Sequence, residues 1–130
     1  MIDDLIAWLK AQLDEDERLA RTADDEVVDW VGSDTDEHGE PAAGQHIRRH
    51  LPTRVLADVA AKRAVLDEHA VLDNGTGKLD SRYCRRCFAI EGYNADVLDS
   101  GEGLPVWCLT VRLLAQAYAD RPGYREEWRP

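Results

Sequence analysis

The sequence predicts a mainly α-helical α+β fold, in which four to five helices surround a small β-hairpin that carries a knuckle. Two observations favour this class. Apolar residues recur at helical spacing in several long segments, and a pair of closely spaced cysteines lies in a short segment flanked by glycines. At 130 residues, the chain is expected to form one domain, residues 1–130. Its content of 44% hydrophobic and 32% charged residues is typical of a globular protein.

The first helix is predicted over residues 3 to about 21. Its apolar stripe repeats every three or four residues and consists of Ile2, Leu5, Ile6, Trp8, Leu9 and Leu13. Residues 22–40 are polar and acidic and predict a mobile loop, in which residues 27–31 could form a short strand. Asp34, Asp36 and His38 partly imitate a calcium-binding loop. A calcium-binding loop requires Asp or Asn at its fifth position and Glu at its twelfth. This chain has His38 and Gln45 at these positions, so calcium is not expected there.

Three further helices are predicted by prolines at their starts and by apolar periodicity. They run over residues 41 to about 50, 52 to about 70, and 105 to about 119. Ile47 is expected to point inward from the second helix. The last helix is expected to bury Val106, Leu109, Leu113, Leu114 and Ala117. Residues 81–103 are predicted to form a hairpin, with Cys84 and Cys87 at its tip, and a glycine-rich connection.

Four residues are candidate ligands of one tetrahedral zinc: His69, Cys84, Cys87 and Cys108, spaced H-x14-C-x2-C-x20-C. A C-x2-C turn allows two thiolates to reach one ion at about 2.3 Å. Cys108 is expected in the first turn of the last helix, where the helix dipole stabilises a thiolate. His69 ends the helix that precedes the cysteine pair and is the nearest histidine in sequence. We therefore predict a structural zinc site formed by these residues.

Several alternatives remain open at this point. His38, His46 or His50 could replace His69, and water would be the fourth ligand of a catalytic site. His46 and His50 are four residues apart, a spacing that also suits a second metal. A redox C-x2-C would gain thiolate character from Arg85 and Arg86, but it normally follows a strand and opens a helix. Cysteines unrelated to metal would pack as small apolar residues.

Charge is unevenly distributed along a chain of net charge −10. Residues 1–40 carry a net charge of −11, residues 41–90 of +4, and residues 91–130 of −3. The total opposes binding to nucleic acid and anionic lipid, whereas the basic middle permits a local contact. No apolar stretch is long enough to cross a membrane, and three cysteines suit a reducing compartment, so we expect a cytoplasmic protein without membrane contact.

Several segments of the chain carry a resemblance: residues 3–9, 13–17, 46–50 and 62–69, the C-x2-C, and residues 107–114 and 118–130. In these segments the chain resembles an uncharacterised actinobacterial and actinophage family, domain of unknown function 6221. The resemblance implies a cytoplasmic location, the host cytoplasm if the chain is phage-encoded, and a zinc ion. It implies no activity.

The leading hypothesis is a non-enzymatic, zinc-stabilised interaction or regulatory accessory module of bacterial or phage origin, with an unknown protein partner. Tyr124 and Trp128 in the tail are its candidate anchors, unless both fold back over the core. The alternative is nucleic-acid binding through Arg82, Arg85 and Arg86. A zinc hydrolase with an open coordination position is a further alternative. Only the H-x-E of His38 and Glu40 partly matches the nucleobase deaminases.

Overall fold

The computed structural model describes residues 2–31, 42–77, 82–88 and 108–130, with side chains except those of residues 24–31 and 42–44. Four α-helices and one two-stranded antiparallel hairpin make up these ranges, which confirms the predicted mainly α class. In chain order the elements are α1 (Ile2–Val31), α2 (Ala42–Arg49), α3 (Pro52–Glu68), β1 (Val71–Asp73), β2 (Arg82–Cys84), α4 (Leu109–Gln116) and a 3-10 helix (Glu126–Trp128). Among the described helices, none combines the length and apolarity that crossing a membrane requires.

Helix α1 is longer than the sequence predicted. It continues to Val31, so the predicted strand at residues 27–31 is wrong, and residues 22–31 are helix and not loop. No glycine or proline interrupts residues 22–31, and extending an existing helix needs no new nucleus. The weak strand preference of a few β-branched residues is therefore outweighed. The rest of the predicted loop, with the calcium-like residues and His38, lies outside the described residues.

One compact unit consists of residues 1–10 and 64–130. Its buried side chains come from α1, α3, the hairpin, α4 and the tail: Ile2, Leu5, Leu9, Leu66, Cys84, Cys108, Val111, Ala115, Tyr118 and Trp128.

The buried face of α4 differs from the predicted one. Val111 and Ala115 are fully buried, whereas Leu109 and Leu113 are about half exposed, at 54% and 51%. Helix α4 is apolar on more than one side, so periodicity alone did not determine which side faces inward. Cys108 precedes Val111 by three residues and Ala115 by seven, so all three lie on one face.

Aromatic rings anchor the C-terminal tail in this unit. Trp128 is buried, and its ring centroid lies 5.4 Å from that of Trp8 and 5.8 Å from that of Tyr124. The Trp8 indole Nε1 donates a hydrogen bond to the Pro122 carbonyl at 3.0 Å, and Arg112 Nε donates to the Trp128 carbonyl at 3.2 Å. The tail therefore folds back over the core. The hypothesis that Tyr124 and Trp128 are exposed anchors for a partner is wrong.

The other compact unit is residues 11–63. Arg63 pairs with two carboxylates of α1, Asp14 at 2.6 Å and Glu17, and Arg21 also binds Glu17. Hydrogen bonds from Arg21 and Arg63 lower the pKa of Glu17. One basic residue of the middle segment, Arg63, thus pairs with two acids of α1. Ile47 is 39% exposed and does not point inward as predicted. The prediction of one domain stays a prediction.

Candidate metal centre

The hairpin brings His69 next to Cys84. Helix α3 ends at Glu68, and the His69 amide still donates to the Val65 carbonyl at 3.0 Å, as in a helix. Strand β1 begins two residues later and pairs with β2 in the register Val71 with Cys84. The Arg85 amide donates to the Ala70 carbonyl at 2.9 Å and extends the pairing beyond Cys84. Antiparallel pairing therefore places Val71 opposite Cys84, and His69 lies only two residues before this partner.

The cysteine knuckle lies at the open end of the hairpin and not at its tip, which corrects the prediction. Cys84 is the last residue of β2, residues 85–87 form a turn, and the Phe88 amide donates to the Cys84 carbonyl at 2.9 Å. Asn74 and Gly75 lie in the connection between β1 and β2, and Asn-Gly is a strong short-range hairpin signal.

Cys108 supplies the third sulfur from the start of α4. It is the N-cap residue of this helix and not part of its first turn, and its side chain is fully buried. The Arg112 amide donates to the Cys108 carbonyl at 3.2 Å, which closes the first turn behind the cysteine. The thiol therefore lies at the positive end of the helix, where an anionic ligand is favoured.

The four predicted ligands form one cluster. His69 Nδ1 lies 3.3 Å from Cys84 Sγ and 3.2 Å from Cys108 Sγ, and Cys87 Sγ lies 3.5 Å from Cys108 Sγ. All four ligand atoms are within 4.8 Å of one another. A tetrahedral site with metal–sulfur bonds of about 2.3 Å and metal–nitrogen bonds of about 2.0 Å places its ligand atoms about 3.5–3.8 Å apart. The three measured distances are a few tenths of an ångström shorter, so a metal ion fits after small side-chain movements.

The two buried thiols, Cys84 and Cys108, differ in pKa. Burial acts to raise the pKa of Cys84, but the backbone N–H groups of Cys87 and Arg86, the Cys87 thiol and His69 together lower this pKa to about 7. Burial raises the pKa of Cys108 to about 12, although the backbone N–H of Val111 favours its thiolate. The metal-free cluster thus favours a thiolate at Cys84 beside a neutral thiol at Cys108. Metal binding requires all the thiols to lose their protons, so metal affinity falls as the pH falls.

The alternatives for the fourth ligand are resolved only in part. Within the described residues, the cluster contains His69 and neither His46 nor His50. The His46 and His50 rings contact each other at 4.2 Å, and His50 Nδ1 lies 2.8 Å from the His46 carbonyl. This pair gains no further ligand among the described side chains. His38 and Glu40 lie outside the described residues, so the deaminase-like H-x-E is not described.

The backbone around Cys84 and Cys87 differs from that of a redox-active C-x2-C motif. Cys84 does follow a strand, but a turn and not a helix comes after it in residues 85–87. All three cysteines are free thiols. Cys87 Sγ lies 3.5 Å from Cys108 Sγ, and the Cys87 thiol also interacts with Cys84. This arrangement is typical of a metal-ligand set and not of a thioredoxin-like motif.

The sequence analysis missed one exposed feature beside the cluster. Phe88 follows the second knuckle cysteine with a φ of 59°, is 70% exposed and stacks on Tyr83. The only sequence signal for this feature is a large apolar residue directly after the C-x2-C. A left-handed backbone at this position would favour glycine.

Comparison with protein families identifies the chain. The model of a family of unknown function, DUF6221, matches residues 2–130. The chain belongs to this family. The DUF6221 match extends from the start of α1 to the end of the tail, so it includes all four residues of the cluster. No curated protein and no solved structure matches the chain.

Proposed function

We propose that His69, Cys84, Cys87 and Cys108 bind one structural zinc ion and that the chain is a non-enzymatic interaction module. The observation that carries this proposal is the convergence of four ligand atoms within 4.8 Å from three separate segments. Three thiolates and one imidazole in tetrahedral geometry suit zinc better than magnesium or calcium, which require oxygen ligands.

A closed coordination sphere supports the structural role. Four protein ligands complete a tetrahedron and leave no position for the water that a zinc hydrolase activates. No Asp or Glu joins the cluster among the side chains that the structure describes. Linking α3, the hairpin and α4 through one ion would rigidify a unit whose β-sheet has only two short strands.

The interaction surface is proposed at the knuckle and not in the tail. Burial of Trp128 removes the tail anchor, whereas Phe88, Arg85 and Arg86 beside the metal cluster are exposed. A cytoplasmic location agrees with three free thiols, and a bacterial or phage origin rests on the family resemblance alone.

Elemental analysis of protein purified without added metal tests the site. We expect one zinc per chain in the wild type, and weakened or lost zinc in His69→Ala and Cys87→Ser. The exposed His46 provides a matched control, because His46→Ala removes an imidazole outside the cluster. Cobalt substitution adds a readout of geometry, since tetrahedral thiolate coordination gives strong visible absorption.

Chelation should also destabilise the protein. Structural zinc contributes on the order of 10 kcal/mol of apparent binding free energy, comparable to the whole stability of a small domain. A chelator is therefore expected to lower the midpoint of thermal unfolding strongly relative to the metal-loaded protein. A protein without zinc, or one in which His69→Ala and His46→Ala retain it equally, would refute the proposed site.

A further inference from the structure

Phe88 places a large aromatic side chain at a position where both the backbone conformation and the exposure to solvent are unfavourable for it. Phe88 has a φ of 59°, in the left-handed region that glycine adopts without strain. Its side chain is 70% exposed, so burial does not offset this strain. A strained, exposed aromatic residue directly after the His/Cys cluster indicates a position shaped by binding.

A second ring extends this surface. The Tyr83 and Phe88 ring centroids lie 6.2 Å apart, with an interplanar angle of 13°. Side chains alternate along β2, so Tyr83 points away from the face on which Cys84 joins the metal cluster. The cross-strand neighbour of Tyr83 is Leu72, which is itself 40% exposed. The outer face of the hairpin therefore exposes Leu72 and Phe88 beside a half-buried Tyr83.

Two arginines flank the rings. Arg85 is exposed and makes no ion pair with any described residue, and Arg86 is 70% exposed with a 3.5 Å contact to Glu68. Arg82, the third arginine of the predicted nucleic-acid surface, instead binds both carboxylate oxygens of Asp3 at 2.7 and 2.8 Å. We therefore exclude Arg82. The aromatic-basic surface consists of Tyr83, Arg85, Arg86 and Phe88.

We propose that the aromatic-basic surface binds single-stranded nucleic acid. An unpaired base would stack on Phe88, and the Arg85 and Arg86 guanidinium groups would contact the flanking phosphates. This inference rests on the proposed function, because the proposed metal site would fix the conformation of the knuckle. It identifies the class of partner as single-stranded nucleic acid. Duplexes would bind worse, since their bases are already stacked. The net charge of −10 opposes long-range attraction, so affinity depends on these short contacts.

Fluorescence anisotropy with the metal-loaded full chain tests the surface. The probes are labelled oligouridylate and oligothymidylate of about 12 nucleotides, and a duplex of the same length, in about 50 mM salt. Phe88→Leu keeps the apolar volume but loses the π face, and is expected to weaken single-strand binding about 5- to 100-fold. Phe88→Tyr keeps the π face and should bind like the wild type.

The arginines have a matched control in Arg48 and Arg49, an adjacent pair on α2. Two phosphate contacts to a single strand predict that log K falls with log salt with a slope of about −1.4. The double variant Arg85→Gln/Arg86→Gln should abolish most of this slope, whereas Arg48→Gln/Arg49→Gln should leave it unchanged. Zinc content and thermal unfolding of every variant confirm an intact fold.

Absence of single-strand binding by the fully metal-loaded protein would overturn the inference and leave the surface to a protein partner. Equal affinities of Phe88→Leu and the wild type, or equal losses in the two arginine pairs, would overturn it as well. Failure of the zinc site is distinguishable. It appears as missing metal in the wild type, whatever the anisotropy shows.

Discussion

Gly123 makes the tightest backbone approach to the aromatic cluster, and its replacement by alanine predicts a large loss of stability. Its φ is +88°, which alanine adopts only with strain. A Cβ atom at this position would lie 2.8 Å from Nε1 and 3.1 Å from Cδ1 of Trp8. Atoms at ordinary contact are about 3.5–4.0 Å apart, so the indole would have to shift by roughly half an ångström.

The magnitude follows from three contributions. The left-handed backbone costs alanine about 1–2 kcal/mol. Displacing the indole weakens its hydrogen bond to the Pro122 carbonyl, worth about 1 kcal/mol, and strains its packing on Trp128, at about 1–3 kcal/mol. We expect Gly123→Ala to lower the free energy of unfolding by about 3–6 kcal/mol.

Gly75 provides the control for the backbone contribution. Its φ is +71°, but an added Cβ meets nothing within 4 Å. Gly75→Ala should therefore cost only about 1–2 kcal/mol. Denaturant unfolding of zinc-saturated wild type and both variants, followed by far-ultraviolet circular dichroism, measures the difference. Equal losses for the two variants would refute the argument that Gly123 is required by the close approach of Trp8.

Two further predictions concern the thiols. In the metal-free protein, the free energy of unfolding should rise between pH 7 and 9, because folded Cys84 has a pKa of about 7 and the ordinary thiol value is 9.0. The unfolded chain binds more protons in this window, so the stabilisation is complete above pH 9 and disappears as the pH falls through 7. Cys84→Ser should remove the rise in pH-dependent unfolding experiments, and an unchanged profile would contradict it. Hydrogen peroxide should release the zinc and join exposed Cys87 to Cys108, whose sulfurs lie 3.5 Å apart, as the two thiolates give two electrons to the peroxide. A metal-release dye and peptide mapping measure this outcome, and a bond from Cys84 to Cys87 would contradict it.

Local patterns were sufficient to predict the starts of two helices and to select a histidine that lies close to the cysteines. The starts of α2 and α3 followed from prolines and apolar periodicity, and α2 ends within one residue of the predicted position. His69 was selected from four histidines because it ends the helix before the cysteine pair, and the structure brings it to the three cysteines. These features depend on residues that are close in sequence, so short-range rules were sufficient.

Predictions that depended on distant contacts were less successful. The sequence did not reveal β1, because three residues carry little periodicity and a strand's partner is set by register with another segment. The position of Trp128 and the inward face of α4 depend on what lies opposite them. Apolar residues indicate that a surface will be buried, but they do not specify which neighbour buries it.

The sequence by itself determined a helical chain with three cysteines and a histidine spaced for one metal ion. Ligand types and helix signals depend on residues that are close in sequence, so they can be identified without the tertiary structure. Only the tertiary structure decided that these ligands converge, that Arg82 is paired with Asp3, and that Phe88 remains exposed while Trp128 is buried. The physical reason is that burial and ion pairing are properties of two segments in contact. One segment's sequence supplies only half of each such contact.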